Sequence, residues 1–304
     1  MTIDHAAFEG DQNSFFNYTF KGSWEPGYCL FNPDHKKIKL FKKNRATVSR
    51  CECGFVFESI QPTKELLYKF YAKSKAMNTW ARHKQGRDED LRQRSKYDRA
   101  VAWITKQNIK SVLDVGCGTG RFLSMLPEGI NKLGIDSNEA SLSVARSLGV
   151  PVQRTEIIPT DKKFDLISLW GVFEHVKDPI ELAKRCYSAL NPGGYLLICV
   201  PNLDSFVVHT LWEKCSTFCP QHLWYFNEQT LTRALNRANF EPELTYTIEP
   251  EALPIAKYKL GFEPYRKDIT GVFLDKVAEL AETIQELGEH TNNGYKIVGV
   301  FKRA

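Results

Sequence analysis

The stretch SVLDVGCGTGRFLSML, residues 111–126, reads as a buried strand, a tight turn carrying glycines at 116, 118 and 120, and a return to helical spacing from Arg121. Glycines at 116 and 118 allow positive φ and let a ligand approach main-chain N–H groups without a Cβ in the way. The helix beginning near Gly120 adds unpaired N–H groups at its start. The next apolar strand, KLGID at 132–136, ends on Asp136, sixteen residues after Gly120. A carboxylate at the tip of the neighbouring parallel strand is placed to accept both hydroxyls of a ribose. The expectation is therefore a nucleoside-type ligand on the glycine turn.

A glycine turn of this kind can serve either NAD or S-adenosylmethionine. A dinucleotide fingerprint reads G-x-G-x-x-G to accommodate a pyrophosphate, whereas the glycines here run G-x-G-x-G. No lysine follows as a P-loop requires. Asp114 lies two residues before the first glycine, and the run D-V-G-C-G-T-G resembles the first motif of class I S-adenosylmethionine-dependent methyltransferases. That resemblance implies cofactor contacts from Asp114, Gly116, Cys117, Gly118, Gly120, Asp136 and the adjoining Ser137. Relatives also place a polar contact to the adenine amino group after the third strand, where Glu156 stands.

A second stretch, LWGVFEHVKDPIELAKRCYSALNPGGYLLICVPN, resembles the matching part of the ubiquinone-biosynthesis O-methyltransferases in both its EHVxDP and its NPGG-strand-PN pieces. The resemblance covers roughly residues 110–240. Trp170 follows the fourth strand, where a ring face would attract a sulfonium cation. Glu174 and His175 emerge just past that strand's carboxyl end. Some members of the resembled family share a metal with a carboxylate three residues before the Glu-His pair, but Gly171 stands there. His175 is a candidate base with a pKa suited to neutral pH, or shapes the pocket together with Glu174. His222 lies in CPQHLWYFNEQTL, which resembles the family's H-x-x-x-F segment that approaches the substrate; the resemblance makes it the first choice for a base on the acceptor side, against an ordinary hydrogen-bonded histidine. Trp212, Trp224, Tyr225 and Phe226 are expected either to wall the acceptor site or to be core.

From residue 111 onward strands are predicted at 111–116, 131–136, 151–155, 164–170 and 194–200, with helices at 120–127, 138–148 and 178–190. Such alternation gives parallel βαβ units. Segments 240–250 and 294–303 are two further strands around a long helix near 271–288, and the resemblance implies a final antiparallel strand. The predicted fold is α/β, a doubly wound, mostly parallel seven-stranded sheet with a small N-terminal appendage. The domains expected are 1–60, ribbon-like and β-rich; 61–107, a helical connector closing the cofactor site through helices at 64–71 and 90–107; and 108–304, the methyltransferase domain. Tyr71, Arg82 and His83 are candidate contacts from the connector, while Leu91, Tyr97, Val101, Trp103 and Ile104 face the domain that follows.

The appendage is harder to read. Phe8, Phe15, Phe16, Tyr18 and Phe20 show no periodicity. Cys29, Cys51 and Cys53 resemble part of the zinc-ribbon leader found before some bacterial methyltransferases, with His35 a possible fourth ligand. The spacing is C-x-C, whereas structural zinc sites usually use C-x₂₋₄-C, and an upstream pair is missing. A metal-free remnant is the preferred reading over a degenerate zinc site. Seven basic residues against one acid between Pro33 and Arg50, and nine against four from Lys73 to Arg99, read as solvated faces or as a phosphate-binding surface interleaved with Tyr71, Trp80, Tyr97 and Trp103.

Composition sets the outer bounds. With 304 residues and 42% hydrophobic residues the chain can bury a core, and its net charge of +5 permits nucleic-acid binding without indicating it. No run approaches a membrane span, the first residues lack a signal-peptide pattern, and the eight scattered cysteines suit reduced thiols, so the default compartment is cytoplasmic. The expected function is S-adenosylmethionine-dependent methyl transfer to a small metabolite or sugar-derived nucleophile. The alternatives are an RNA methyltransferase docking through the basic N-terminal region, and a non-catalytic scaffold that binds an adenosyl ligand. A nicotinamide-dependent dehydrogenase fits the glycine spacing least.

Overall fold

The seven-stranded sheet at the centre of the computed structural model is built around β6 (Ser111–Val115), the strand that leads into the glycine turn. Residues 15–16, 23–83, 87–248, 251–265 and 272–304 are described. Phe8, Tyr18 and Phe20, and the side chains of His83 and Leu91, lie outside what is described.

The appendage consists of β1 (Trp24–Pro26), β2 (Lys37–Lys43), β3 (Ala46–Cys51), β4 (Val56–Glu58) and β5 (Ile60–Pro62). The connector contains α1 (Lys64–Lys73), α2 (Lys75–His83) and α3 (Arg87–Lys106). After β6 come α4 (Arg121–Met125), β7 (Asn131–Asp136), α5 (Glu139–Ser147), β8 (Val152–Arg154), β9 (Phe164–Trp170), α6 (Pro179–Ala189) and β10 (Leu190–Pro201). The chain finishes with α7 (Phe206–Leu211), β11 (Trp224–Tyr225), α8 (Glu228–Asn236), β12 (Phe240–Ile248), α9 (Ala252–Lys259), α10 (Val272–Thr291) and β13 (Lys296–Arg303).

The large sheet has the order β12-β13-β10-β9-β6-β7-β8. The strands from β10 to β8 pair in parallel, and β13 is antiparallel to both β10 and β12, as expected from sequence. Chain order reverses between β6 and β9, and ligands in open α/β sheets bind in the crevice outside the carboxyl ends at such a reversal. In β9, FDLISLW is buried at every position except Asp165, because helices cover both faces. Asp165 itself accepts hydrogen bonds from the amides of Lys110 and Ser111 and from Asn191, a structural role that pins the foot of the sheet.

Side-chain caps set the helix starts around the cleft. Asn138 caps α5 by accepting from the Ser141 amide at 2.8 Å. Its amide nitrogen also donates to the Tyr71 carbonyl at 3.1 Å, which ties α1 to the tip of β7. Asp178 with Pro179 starts α6, and Asn227 with Thr230 forms a capping box on α8.

The second sheet, β11-β4-β3-β2, joins sequence-distant parts. Trp224 pairs with Phe57 and Tyr225 with Val56, so the appendage's sheet takes an edge strand from the other half of the chain. Phe16 is buried against Trp24 and Phe70, which gives the irregular aromatic N-terminal stretch one packing role.

Candidate active site

The three glycines of the turn all have positive φ, but for different reasons. A Cβ at Gly116 would lie 2.5 Å from Val172 Cγ2, and one at Gly120 would lie 2.7 Å from Ala145 Cβ. Those two are fixed by packing against the β9 loop and α5. At Gly118 the neighbour is the ring of Trp80 on α2, 3.3 Å from the Cβ position. Gly118 is thus the glycine at which α2 lies over the turn, and the freedom expected at Gly116 serves Val172 instead.

Asp136 stands at the tip of β7, half-buried. Its two carboxylate oxygens accept from the Gly118 amide at 2.9 Å and the Asn138 amide at 2.8 Å. Burial raises its pKa above the usual carboxylate value, opposed by these amide hydrogen bonds. The Ser137 amide is a third backbone donor to this carboxylate, which leaves acceptor capacity for a further donor. Glu156 hydrogen-bonds Ser137 beside it, and burial raises its pKa as well.

The remaining predicted cofactor residues divide. Asp114 is 2% exposed, beneath the turn, where its Oδ1 accepts from Ser168 Oγ at 2.7 Å. Burial pushes its pKa up to about 7. The buried Cys117 thiol lies against Gly134 of β7. Trp170 is a correction: its ring packs edge-on to Tyr97 at 4.6 Å and against Phe122, and Lys96 Nζ already sits 5.3 Å from its centroid. The ring is a core element that carries its own cation rather than a free face in the cleft.

On the other side of the crevice Glu174, His175 and His222 come together, with one ligand-type atom from each lying within 4.8 Å of the others. The loop 171–178 and the segment 217–222 meet through the Leu223 amide, which donates to the Glu174 carbonyl at 2.9 Å. His175 Nδ1 lies 2.9 Å from the Gln221 carbonyl and 2.7 Å from Tyr71 Oη. A carbonyl accepts only, so the network assigns the proton to Nδ1 and leaves the lone pair on Nε2. That Nε2 faces Glu174 Oε1 at 3.6 Å. Glu174 is 1% exposed, and its Oε2 has no hydrogen-bond partner among the described residues.

His222 follows the same logic, since its Nδ1 lies 2.6 Å from the Thr217 carbonyl, so Nε2 again carries the lone pair. The two imidazole centroids are 4.6 Å apart. Burial lowers both pKa values; for His175 the Glu174 charge opposes this, whereas for His222 the His175 charge adds to it and drives the value well below the ordinary one. Both rings are therefore neutral at physiological pH, and of the two His175 is the one whose imidazolium the Glu174 carboxylate favours.

Two features of this site, Trp80 and Lys296, escaped the sequence, and a third, Tyr71, was only partly readable. Trp80 was visible only as one aromatic in a basic run, because the distance from residue 80 to residue 118 closes in three dimensions. Tyr71 was one of several connector candidates, and the structure selects it. Lys296, where β13 begins opposite Pro201, is half-buried, and burial and then Lys96 lower its pKa, with the Glu174 charge among the opposing influences. Of the two readings of the aromatics, wall or core, the structure takes the second for Trp224, Tyr225 and Phe226, which are 6%, 3% and 0% exposed, while the exposed Trp212 meets Phe41 and Phe218 edge-on.

A doubly wound sheet reversing at β6 and β9, a glycine turn and a carboxylate at the next strand tip define the Rossmann-like class of α/β proteins that hold a nucleoside at the carboxyl edge. The chain belongs to the Methyltransferase domain family, which matches residues 81–245. Among curated relatives it is similar to the ubiquinone biosynthesis O-methyltransferase of Acinetobacter baylyi, 36% identical over 105 residues, covering 31% of this chain and 44% of that protein. It is also similar to the enzyme of the same name from Pseudomonas syringae, 34% identical over 116 residues, covering 34% and 50%. The matches thus span about half the length of these relatives or less. Among solved structures, a SAM-dependent methyltransferase from Archaeoglobus fulgidus superposes with a TM-score of 0.51 at 21% identity, covering 73% of this chain and 98% of its own, a likeness of fold. No helix among the described residues is long and apolar enough to cross a membrane.

Proposed function

We propose that this protein transfers the methyl group of S-adenosylmethionine to a small-molecule acceptor. The observation that carries the reading is the meeting, at the carboxyl edge of one sheet, of an adenosyl-type cradle and a neutral imidazole backed by a buried carboxylate. The cradle fits the cofactor: Asp136, at the strand tip, has acceptor capacity left for a ribose hydroxyl beyond its three amide donors, and Ser137 and Glu156 adjoin it. Bound there, S-adenosylmethionine supplies an electrophilic methyl on a sulfonium that leaves as a neutral thioether.

The residues of the chain then have limited work, since in-line methyl transfer needs positioning and a sink for the acceptor's proton. His175 Nε2 takes that proton, and Glu174 stabilises the imidazolium that results. Gln221 and Tyr71 hold the ring and its tautomer through Nδ1. His222 lines the acceptor side, and Trp80 excludes water above the glycine turn. The names of the ubiquinone-pathway relatives support an oxygen nucleophile on a small molecule. Lys296 near the same cleft favours an acceptor carrying negative charge.

Calorimetric titration with S-adenosylmethionine, S-adenosylhomocysteine and NAD tests the cofactor. Binding of both adenosyl ligands without NAD is expected; failure of both to bind refutes the reading.

A further inference from the structure

Outside the cleft, four metal-ligating side chains converge in the appendage. Cys29 lies in the loop after β1, His35 in the turn before β2, Cys51 at the end of β3, and Cys53 in the turn that leads to β4. Their donor atoms all fall within 4.8 Å of one another. Cys29 Sγ is 3.3 Å from Cys51 Sγ and 3.6 Å from Cys53 Sγ, the two sulfurs of the C-x-C pair are 2.7 Å apart, and His35 Nδ1 is 3.9 Å from Cys51 Sγ. Zinc–sulfur bonds of about 2.3 Å and zinc–nitrogen bonds of about 2.0–2.1 Å require tetrahedral edges of roughly 3.5–3.8 Å. Three of these four separations lie within about 0.5 Å of that range. The fourth opens by rotation of the half-buried Cys53 side chain.

We propose that Cys29, His35, Cys51 and Cys53 bind one zinc ion through three thiolates and one imidazole. The backbone explains how C-x-C works here. The Gly54 amide closes on the Cys51 carbonyl at 2.9 Å with Gly54 at φ 85°, which turns the chain so that both sulfurs face the same point. The Glu52 amide donates to the Lys36 carbonyl at 3.0 Å and holds the His35 turn against that knuckle. The ligand set missing from an upstream cysteine pair is completed by Cys29 and His35. Coordination forms three Zn–S bonds and one Zn–N bond and releases three thiol protons to solvent.

The site staples the appendage to the sheet that holds the cleft. Phe31, two residues after Cys29, lies under the guanidinium of Arg233 on α8 at 4.1 Å and near that of Arg237 at 5.2 Å. Phe55, two residues after Cys53, stacks on Trp224 at 6.2 Å. Trp224 in turn donates from its indole nitrogen to the Val176 carbonyl, next to His175, at 2.8 Å. Metal loading accordingly supports the acceptor side of the cleft more than the glycine turn.

The test is elemental analysis of protein purified without chelator, with denatured thiol titration and cobalt substitution on the same sample. About one zinc per chain is expected, with eight titratable thiols after metal release and the charge-transfer and visible bands of a tetrahedral thiolate-bound cobalt ion. Cys53→Ser and His35→Gln, both at half-buried positions, should each lose most of the zinc while S-adenosylhomocysteine affinity stays within about threefold, a readout independent of the proposed activity. Native protein free of metal overturns the proposal, as does a Cys51–Cys53 disulfide. Zinc that survives both substitutions but is lost in His175→Gln would place the ion at Glu174, His175 and His222 and overturn it equally.

Discussion

Replacing Glu58 by Gln should make the protein more stable at alkaline pH. Glu58 is fully buried, at 0% exposure, where its carboxylate accepts from the Thr47 amide at 2.5 Å and from Tyr225 Oη at 2.8 Å. Burial outweighs these two hydrogen bonds and raises its pKa to about 8. The folded state therefore holds a proton that the unfolded chain has released above its ordinary value near 4.5. Stability from this group is fully present below that ordinary value and is lost as pH rises through the folded value. Between pH 6 and 8.5 the loss amounts to roughly 2–3 kcal/mol, at about 1.36 kcal/mol per pH unit. A glutamine keeps the acceptor for Thr47, offers its amide to Tyr225, and does not titrate. Asp114, whose raised pKa has the same sign, is present in both proteins and cancels in the difference. Urea unfolding of native protein and Glu58→Gln at the two pH values measures the effect, with the gap between them growing by roughly 2–3 kcal/mol in favour of the variant at the higher pH. A gap that is independent of pH, or a variant less stable at both values, would refute the claim that desolvation dominates at this carboxyl.

Asp136→Asn removes the charge from the ribose acceptor and should weaken S-adenosylhomocysteine binding by about 1–3 kcal/mol, roughly 5- to 150-fold by calorimetry; unchanged affinity would remove Asp136 from the cradle. His175→Gln should lower the methyl-transfer rate by about 10²- to 10⁴-fold. Because burial holds the His175 pKa below its ordinary value, the native rate should be level above about pH 6.5 and fall only in more acidic solution; a rate still climbing through pH 8 would point to another base. Gly120→Ala places a Cβ against Ala145 at a φ of 70° and should cost about 2–4 kcal/mol in thermal or urea unfolding, from left-handed strain and overpacking together; a loss under about 1 kcal/mol would contradict the packing described at the turn.

Much of the sheet was legible because its strands are short apolar runs separated by helices with their own caps. Asp165, Asn138 and Asp178 each act within a few residues or at an element end that periodicity already marks. The glycine turn and the place of Asp136 at the tip of β7 were legible for the same reason, since both lie on one βαβ unit. What stayed hidden depends on distant approach. His35 was a possible fourth ligand or an ordinary loop histidine, and the β2–β3 pairing, with Lys37 opposite Cys51, is what brings it to the cysteines. Trp224 and Tyr225 could be read as acceptor wall or as core because aromatics serve both, and nothing local in the sequence shows that they form a strand against β4. Trp170 was misplaced because its position at the end of β9 was readable and its partners on α3 and α4 were not.

The pairing of β4 with β11 has a consequence for how this chain comes to be folded. Residues 56–57 pair locally with β3 on one side but find their partners on the other side only at 224–225, so closing that sheet encloses most of the chain in one loop. Contacts of such high sequence separation form late, after the intervening chain has ordered. During synthesis the appendage emerges well before β11 and waits with β4 exposed along one edge until Trp224 and Tyr225 have been made. An unpaired edge of that kind invites association with other chains. The lysines of β2, KIKLFKK, stand on the opposite edge of that sheet, beyond β3, and guard the edge that stays unpaired among the described residues after β11 has docked on β4.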